Sequence, residues 1–280
     1  MKKIISGKVR DIYEMDNKYL IIVTTDRISA FDVIIPKKVH NKGILLNEIS
    51  KFWFEYTKDI IENHIETYDL NKMPQDFQKD EFEGRTVMVK KVNILPYEFI
   101  VRGYIFGNMW KAYKEKGEFC GIKIEGEYQE AQKLDMPILT PSTKTSEGHD
   151  EYISFNQVID DLGEELANKI KSICYKLYAK CSKYAYERGI IIADTKFEFG
   201  IDENGNLILA DEIFTPDSSR FWSLEDYEIG TSPKSFDKQF VRDWLLNNTK
   251  DGEIQYEKIP NEILKKTSLL YKECKERLLG

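Results

Sequence analysis

The sequence holds only three histidines, His40, His64 and His149, and four cysteines, Cys120, Cys174, Cys181 and Cys274, with no CxxC pair. A zinc centre needs closely spaced thiolate or imidazole ligands, so this scarcity argues against one. Cys174 and Cys181 stand seven apart in a helical pattern, the spacing of two small core residues on one stripe. Long apolar runs are also missing. No stretch approaches the length of a membrane span, and Met1-Lys2-Lys3-Ile4-Ile5 enters a polar turn without the apolar segment of a signal peptide. A cytoplasmic protein with no membrane partner is the expectation. The net charge of −7 argues against nucleic acid as a partner, while leaving local basic pockets open. No internal repeat, low-complexity stretch or charge block stands out.

What is there suits an enzyme-sized globular chain. Its 280 residues, 12% aromatic and 32% charged, allow one large domain or two smaller ones with a substantial core. The strongest local signal is the stretch from Ile190 to Ile213: two apolar segments joined by Asp202-Glu203-Asn204-Gly205-Asn206, a hairpin signature. A two-residue turn at Asn204-Gly205 predicts Glu198 opposite Asp211. Alternation then puts Asp194, Lys196, Glu198 and Asp211 on one face, with Phe197 and Phe199 on the other. Ile190-Ile191-Ile192 and Leu207-Ile208-Leu209 are apolar at every position, as in strands covered on both sides. Carboxylates at the end of covered strands call for a cation.

Before this hairpin, Ile4-Ile5, Lys8 to Tyr13 and Tyr19 to Thr24 predict an antiparallel unit turning at Ser6-Gly7, with Lys8 and Arg10 on one face. Gly7-Lys8 lacks the glycine spacing of a P-loop. A helix is predicted from about Asn47, with Ile49, Phe52, Trp53, Tyr56 and Ile60 on one side, and a strand from Arg85 to Val92 with Lys90 or Lys91 pointing inward. Asn93 to Glu98 is the preferred boundary, giving domains 1–93 and 94–280. Arg102 ends the apolar strand from Phe99, where burial demands an anionic partner. Gly107 to Lys116 predicts a short helix. Residues 137–151, including Ser142, Lys144 and His149, predict a polar loop, solvated or substrate-binding. A helical pattern from Asn156 to Arg188 breaks near Gly163 and stops at Gly189. Thr215 to Arg220 offers hydroxyls and an arginine to a phosphate or carboxylate, and the remaining chain is helical packing.

Acids on one face, with lysines and arginines from separate strand ends, suit magnesium and phosphorylated ligands better than the paired carboxylates of a glycosidase. A nucleotide-using enzyme follows. Two alternatives remain open at this level: a kinase acting on a small-molecule hydroxyl, and a nucleotide-binding regulatory protein without catalysis.

Six segments in this order, Gly7 to Tyr13, Asp26 to Asp32, Leu95 to Tyr104, Thr140 to Lys144, Ile192 to Gly200 and Thr215 to Arg220, resemble the SAICAR synthetase family over nearly the whole chain. The resemblance implies an α+β, two-domain, kinase-like and ATP-grasp-like architecture, a small antiparallel sheet domain over a larger α+β domain with C-terminal helices. It implies ATP as co-substrate, Mg2+, and the small-molecule partners carboxyaminoimidazole ribotide (CAIR) and L-aspartate, and it leaves open whether the protein is a homo-oligomer. Asp211 and Glu198 would hold the metal, with Lys196, Asp194 and Asp211 in the catalytic centre. Lys8, Arg10, Lys90 or Lys91, and Glu98 would meet ATP. Arg102, Asn108, Ser142, Lys144, Lys196, Ser219 and Arg220 would meet the other substrates, and aspartate would lie between the 137–151 loop and Asp217-Ser218-Ser219. One position departs from the family pattern: Asn108 stands where a serine hydroxyl is expected, and its amide can still donate a hydrogen bond.

Overall fold

A computed structural model describes residues 1–31, 33–144, 151–250 and 252–280. Strands β1 (Lys2–Ser6), β2 (Arg10–Glu14) and β3 (Tyr19–Thr24) form consecutive antiparallel hairpins, as their alternation predicts. The hairpin β4 (Arg27–Ala30) and β5 (Val33–Lys38) and helix α1 (Lys42–Tyr56) lead to β6 (Ile65–Thr67) and β7 (Thr86–Lys90). These complete a five-stranded sheet in the order β1-β2-β3-β7-β6. One face carries Ile12, Ile22, Val87 and Val89, and the other carries Tyr13, Ile21 and Met88 packed on Met73 and Phe77.

Helix α1 begins five residues before Asn47, the expected cap. Asn41 makes the entry at a left-handed φ of 59°, and Gly43 lies so close to β3 that a Cβ there would be 2.3 Å from the Thr24 carbonyl oxygen. Asn47 is an interior helical residue whose amide donates to the Gly84 carbonyl at 2.9 Å. Ile49, Trp53 and Phe54 of α1 enter the largest core, so the first segment is packed into the second rather than resting on it. The β4–β5 hairpin likewise shares a core with the C-terminal helices, through Ile28, Ile35 and Val39 against Val241, Leu245 and Leu264.

The second layer comprises β8 (Asn93–Ile94), β9 (Tyr97–Tyr104), α2 (Asn108–Lys116), β10 (Glu118–Phe119), β11 (Ile122–Lys123) and β12 (Lys133–Thr143). It continues with α3 (Phe155–Leu162), α4 (Glu164–Tyr186), β13 (Ile190–Ile201), β14 (Leu207–Ala210), β15 (Ser219–Ser223), α5 (Gln239–Asn247) and α6 (Asn261–Leu279). The sheet runs β12-β9-β13-β14, with β15 and β8 also paired to β13. Strand β13 is therefore central, and Ile190, Ile192, Phe197 and Phe199 pack with α4 residues Ile170, Cys174, Leu177 and Cys181 in one core. The break at Gly163 and the stop at Gly189 lie where predicted, both at positive φ. Among the described residues no helix is long and apolar enough to cross a membrane.

Two expectations are corrected. Thr140 to Thr143, assigned to a loop, continues β12 in register with β9, Thr140 opposite Ile100 and Ser142 opposite Glu98. Strand β12 is an edge, so Pro141 removes no needed donor and its carbonyl still accepts from the Ile153 N–H. Residues 145–150 of that segment, His149 included, lie outside the described residues. The central hairpin is also one residue out of the predicted register, with Glu198 opposite Ala210. Its loop has three residues, not two: Asp202 pairs with Asn206, its carboxylate accepts from the Asn204 and Asn206 N–H groups, and Gly205 takes φ 83°. Such a slip would send Asp211 to the opposite face, but β14 ends at Ala210 and Asp211 adopts φ 65°. This left-handed residue returns its carboxylate toward Lys196.

Candidate active site

Strand β13 presents Asp194, Lys196 and Glu198 at alternate positions, and each gathers partners from other elements. The Lys196 ammonium lies 2.8 Å from Glu198 Oε1, 2.7 Å from Glu98 Oε1 on β9 and 3.9 Å from Asp211 Oδ2. Lys144, at the end of β12, pairs with the second oxygen of Glu198. From the first sheet, Arg10 grips both Asp211 oxygens, at 2.5 and 2.9 Å, and reaches Glu212 at 3.4 Å. Burial opposes the charge of Lys196, yet Glu198, Asp211 and Glu98 outweigh it and raise its pKa. Burial likewise opposes the Asp211 carboxylate, but Arg10, Lys196 and Lys144 hold its pKa well below the ordinary range. The acids are ionised and the lysine is charged: a balanced cluster between the layers.

Two residues back along β13, Asp194 organises a different group. It pairs with Arg220 on β15 and with Arg102 Nη1 at 3.2 Å. Arg102 is interior to β9, 3% exposed, and also donates from Nε to Thr140 Oγ1 at 2.9 Å. Asn108 opens α2 beside them, and both Asn108 Nδ2 and Arg102 Nη2 lie 3.4 Å from the Tyr152 hydroxyl. Gly107 is required here: it takes φ 61° and ψ −130°, and a Cβ would stand 3.0 Å from Arg220 Nη2. Two guanidinium groups and an amide thus face one small area, anchored from behind by one carboxylate. That suits a phosphate.

The remaining expected residues are placed unevenly. Lys8 is exposed on the turn between β1 and β2, whose Gly7 and Lys8 carbonyls accept from Arg27. Neither Lys90 nor Lys91 points inward: Lys90 is exposed, and Lys91 bonds Glu14 at 2.7 Å, on the face of the sheet shared with Arg10. Glu98, expected near the nucleotide base or ribose, belongs to the Lys196 cluster. Ser142 is buried, and the Ser219 hydroxyl is spent on Thr195 at 2.8 Å. Asp217 is fully engaged by Lys42 at 2.5 Å and the Tyr271 hydroxyl at 2.6 Å, which leaves it no carboxylate oxygen for an aspartate ligand.

The turn carrying Lys8 is braced by Asp11, which accepts from Arg27 at 2.7 Å, Lys3 at 2.9 Å and Ser6 at 2.9 Å. Burial works against this carboxylate, but the three donors bring its pKa down to about 2 from the ordinary 3.8. A depressed folded pKa contributes stability that is complete above 3.8 and is lost as pH falls toward 2. Asp11→Asn is therefore expected to be less stable by about 1 kcal/mol near neutrality, the gap narrowing in acid. Urea unfolding at pH 7 and pH 3 checks this, and a gap that stays constant would contradict it.

Sequence reasoning missed Glu212, Tyr152 and His64. His64 lies in a segment of mixed pattern that gave no strand signal. Its N–H donates to Leu209 beside Asp211, and its carbonyl accepts from Lys90 of the first sheet, so one residue ties the two layers together. Burial pushes the His64 pKa down to about 4, which keeps the ring neutral.

Among the described residues no cluster of three or more His, Cys, Asp or Glu side chains is gathered for a metal. The donor chemistry nevertheless fits magnesium: Glu198 and Asp211 offer hard oxygens toward one point, where the Lys196 ammonium stands between them.

An antiparallel sheet folded over a lysine and carboxylate cleft on a second sheet makes this an ATP-grasp-like α+β protein. The SAICAR synthetase family model matches residues 3–259. A phosphoribosylaminoimidazole-succinocarboxamide synthase of Lachnospira eligens is 52% identical over 282 residues, 98% of this chain and 94% of that protein. The SAICAR synthase of Saccharomyces cerevisiae, solved in complex with SAICAR, superposes with a TM-score of 0.91 at 44% identity, over 100% of this chain and 95% of that one. A type-2 SAICAR synthetase solved with ADP gives 0.71 at 25% identity, over 99% and 97%. The chain belongs to the SAICAR synthetase family, ATP-dependent carbon–nitrogen ligases of purine biosynthesis.

Proposed function

We propose that the protein uses ATP to join L-aspartate to the carboxylate of CAIR, giving SAICAR, ADP and phosphate through an acyl phosphate. The observation that carries this is the pair of charge clusters on one strand, the anion-seeking group at Asp194 and the lysine–carboxylate group at Lys196 and Glu198. A ribotide whose phosphate is held by Arg102, Arg220 and Asn108 would lay its imidazole carboxylate along β13 toward Lys196.

A free carboxylate is a poor electrophile, and phosphorylation converts one oxygen into a leaving group. Lys196 would neutralise the CAIR carboxylate and the migrating phosphoryl group, and Arg10 would balance the charge on the nucleotide side. Asp211 and Glu198 would hold Mg2+, which when bound neutralises phosphate oxygens of ATP. Residues 1–93, with Lys8 and Lys91 on their inner edge, would cover ATP, and residues 94–280 would hold the metal and the other substrates. The aspartate amine then attacks the acyl carbon and phosphate departs with one oxygen of the CAIR carboxylate.

CAIR labelled with 18O in its carboxylate tests the route. Label is expected in the released inorganic phosphate, with ADP formed in equal amount to SAICAR. Unlabelled phosphate would exclude the acyl phosphate, and ADP formation without aspartate, with a phosphorylated hydroxyl product, would favour a kinase instead.

A further inference from the structure

We propose that Tyr152 is a phosphate-recognition residue of the ribotide site, which deepens the function proposed above and rests on it. Its backbone is fastened to the edge of the second sheet, bridged to Ser142, with the next N–H donating to Pro141. Its ring is held between Phe119, 4.8 Å away centroid to centroid, and the Arg102 guanidinium, 5.6 Å from the ring centre. The hydroxyl therefore has a defined position at the mouth of the Asp194 cluster, while the side as a whole remains open, the residue being 40% exposed.

A phenol oxygen offers two acceptor positions and one proton. Arg102 Nη2 and Asn108 Nδ2, each 3.4 Å away, approach it as donors and have no proton to accept. Both acceptor positions are thereby taken, and the hydroxyl proton is directed to something else. No carboxylate or carbonyl of the described protein bonds it. An anion sitting against Arg102, Arg220 and Asn108 would receive it, through a hydrogen bond strengthened by two cationic neighbours. This also gives Asn108 a task that a serine could share only weakly: its amide is a pure donor toward Tyr152 and orients the hydroxyl. The occupant is the phosphate monoester of the ribotide, and Tyr152 discriminates for it against the same molecule without phosphate.

Tyr152→Phe keeps the ring and its packing on Phe119 and removes the oxygen alone. The expected result is a rise of about tenfold in KM for CAIR, the loss of one hydrogen bond to a charged group. kcat should stay within about twofold, with KM for ATP and the melting temperature unchanged. Binding of the dephosphorylated riboside, measured by calorimetry, should not differ between variant and wild type. A KM for CAIR within about twofold of wild type overturns the proposal, as does an equal loss for ribotide and riboside, which would mark Tyr152 as packing. Failure of the parent reading is separate: it would show as wild-type protein that forms no SAICAR, and it would overturn both.

Discussion

Asp211→Asn is expected to lower the rate of SAICAR formation by on the order of 10³, the effect of removing one preorganised charge from a buried transition-state site, while leaving the fold intact. The substitution is unusually clean at this position. Asp211 sits at φ 65°, a left-handed conformation that asparagine tolerates as well as aspartate does, so the backbone that carries the side chain into the cleft is kept. Arg10 loses its bidentate partner but retains Glu212 at 3.4 Å, so no guanidinium is left without a carboxylate. What disappears is one negative charge opposite Lys196 and Glu198, the charge proposed to hold magnesium with the nucleotide. SAICAR formation at saturating substrates, set beside a thermal melt, measures this. A folded Asn variant with near-normal turnover would remove Asp211 from the metal site.

The same residue shows how far the sequence could be read. Gathering of Asp194, Lys196, Glu198 and Asp211 is legible from period-2 alternation and a turn signal, yet the predicted register was wrong by one. Asn204-Gly205 suits both a two-residue turn and a three-residue turn with a left-handed glycine, and the Asp202 side chain, bonding the Asn204 and Asn206 N–H groups, supports the longer one. The error would have placed Asp211 on the wrong face had its own backbone continued extended. Propensity gives no warning of a single left-handed aspartate at a strand end. Strand β12 was lost for a related reason, since Thr-Pro-Ser-Thr carries loop composition and only its edge position makes Pro141 harmless. Long-range partners were the least legible part. Arg10 and Asp211 are 201 residues apart, and only the closing of one sheet over the other makes them neighbours. Tyr152 and His64, single residues without a motif around them, acquire meaning only from what surrounds them in space.

The second large effect is expected at Asp194, and it differs in kind. This carboxylate is 6% exposed and is the acid shared by Arg102 and Arg220. Sequence reasoning placed it among the catalytic acids, whereas its contacts are the two guanidinium groups proposed to bind the ribotide phosphate, which makes it a positioning residue. Asp194→Asn preserves size and part of the hydrogen bonding but leaves two buried like charges without their counter-charge. Breaking a buried pair in this way costs about 3–5 kcal/mol, and the variant should unfold at a clearly lower urea concentration. Kinetically, KM for CAIR should rise tenfold or more as the arginines move apart, with KM for ATP near normal. The ribotide itself should partly repair the damage. Its phosphate brings negative charge back between Arg102 and Arg220, so saturating CAIR is expected to raise the melting temperature of the variant more than that of the wild type, even though binding is weaker. A direct catalytic role predicts the reverse: unchanged stability, unchanged KM for CAIR and a collapse in kcat. Melting curves with and without CAIR, alongside the two KM values, separate these outcomes on one pair of proteins.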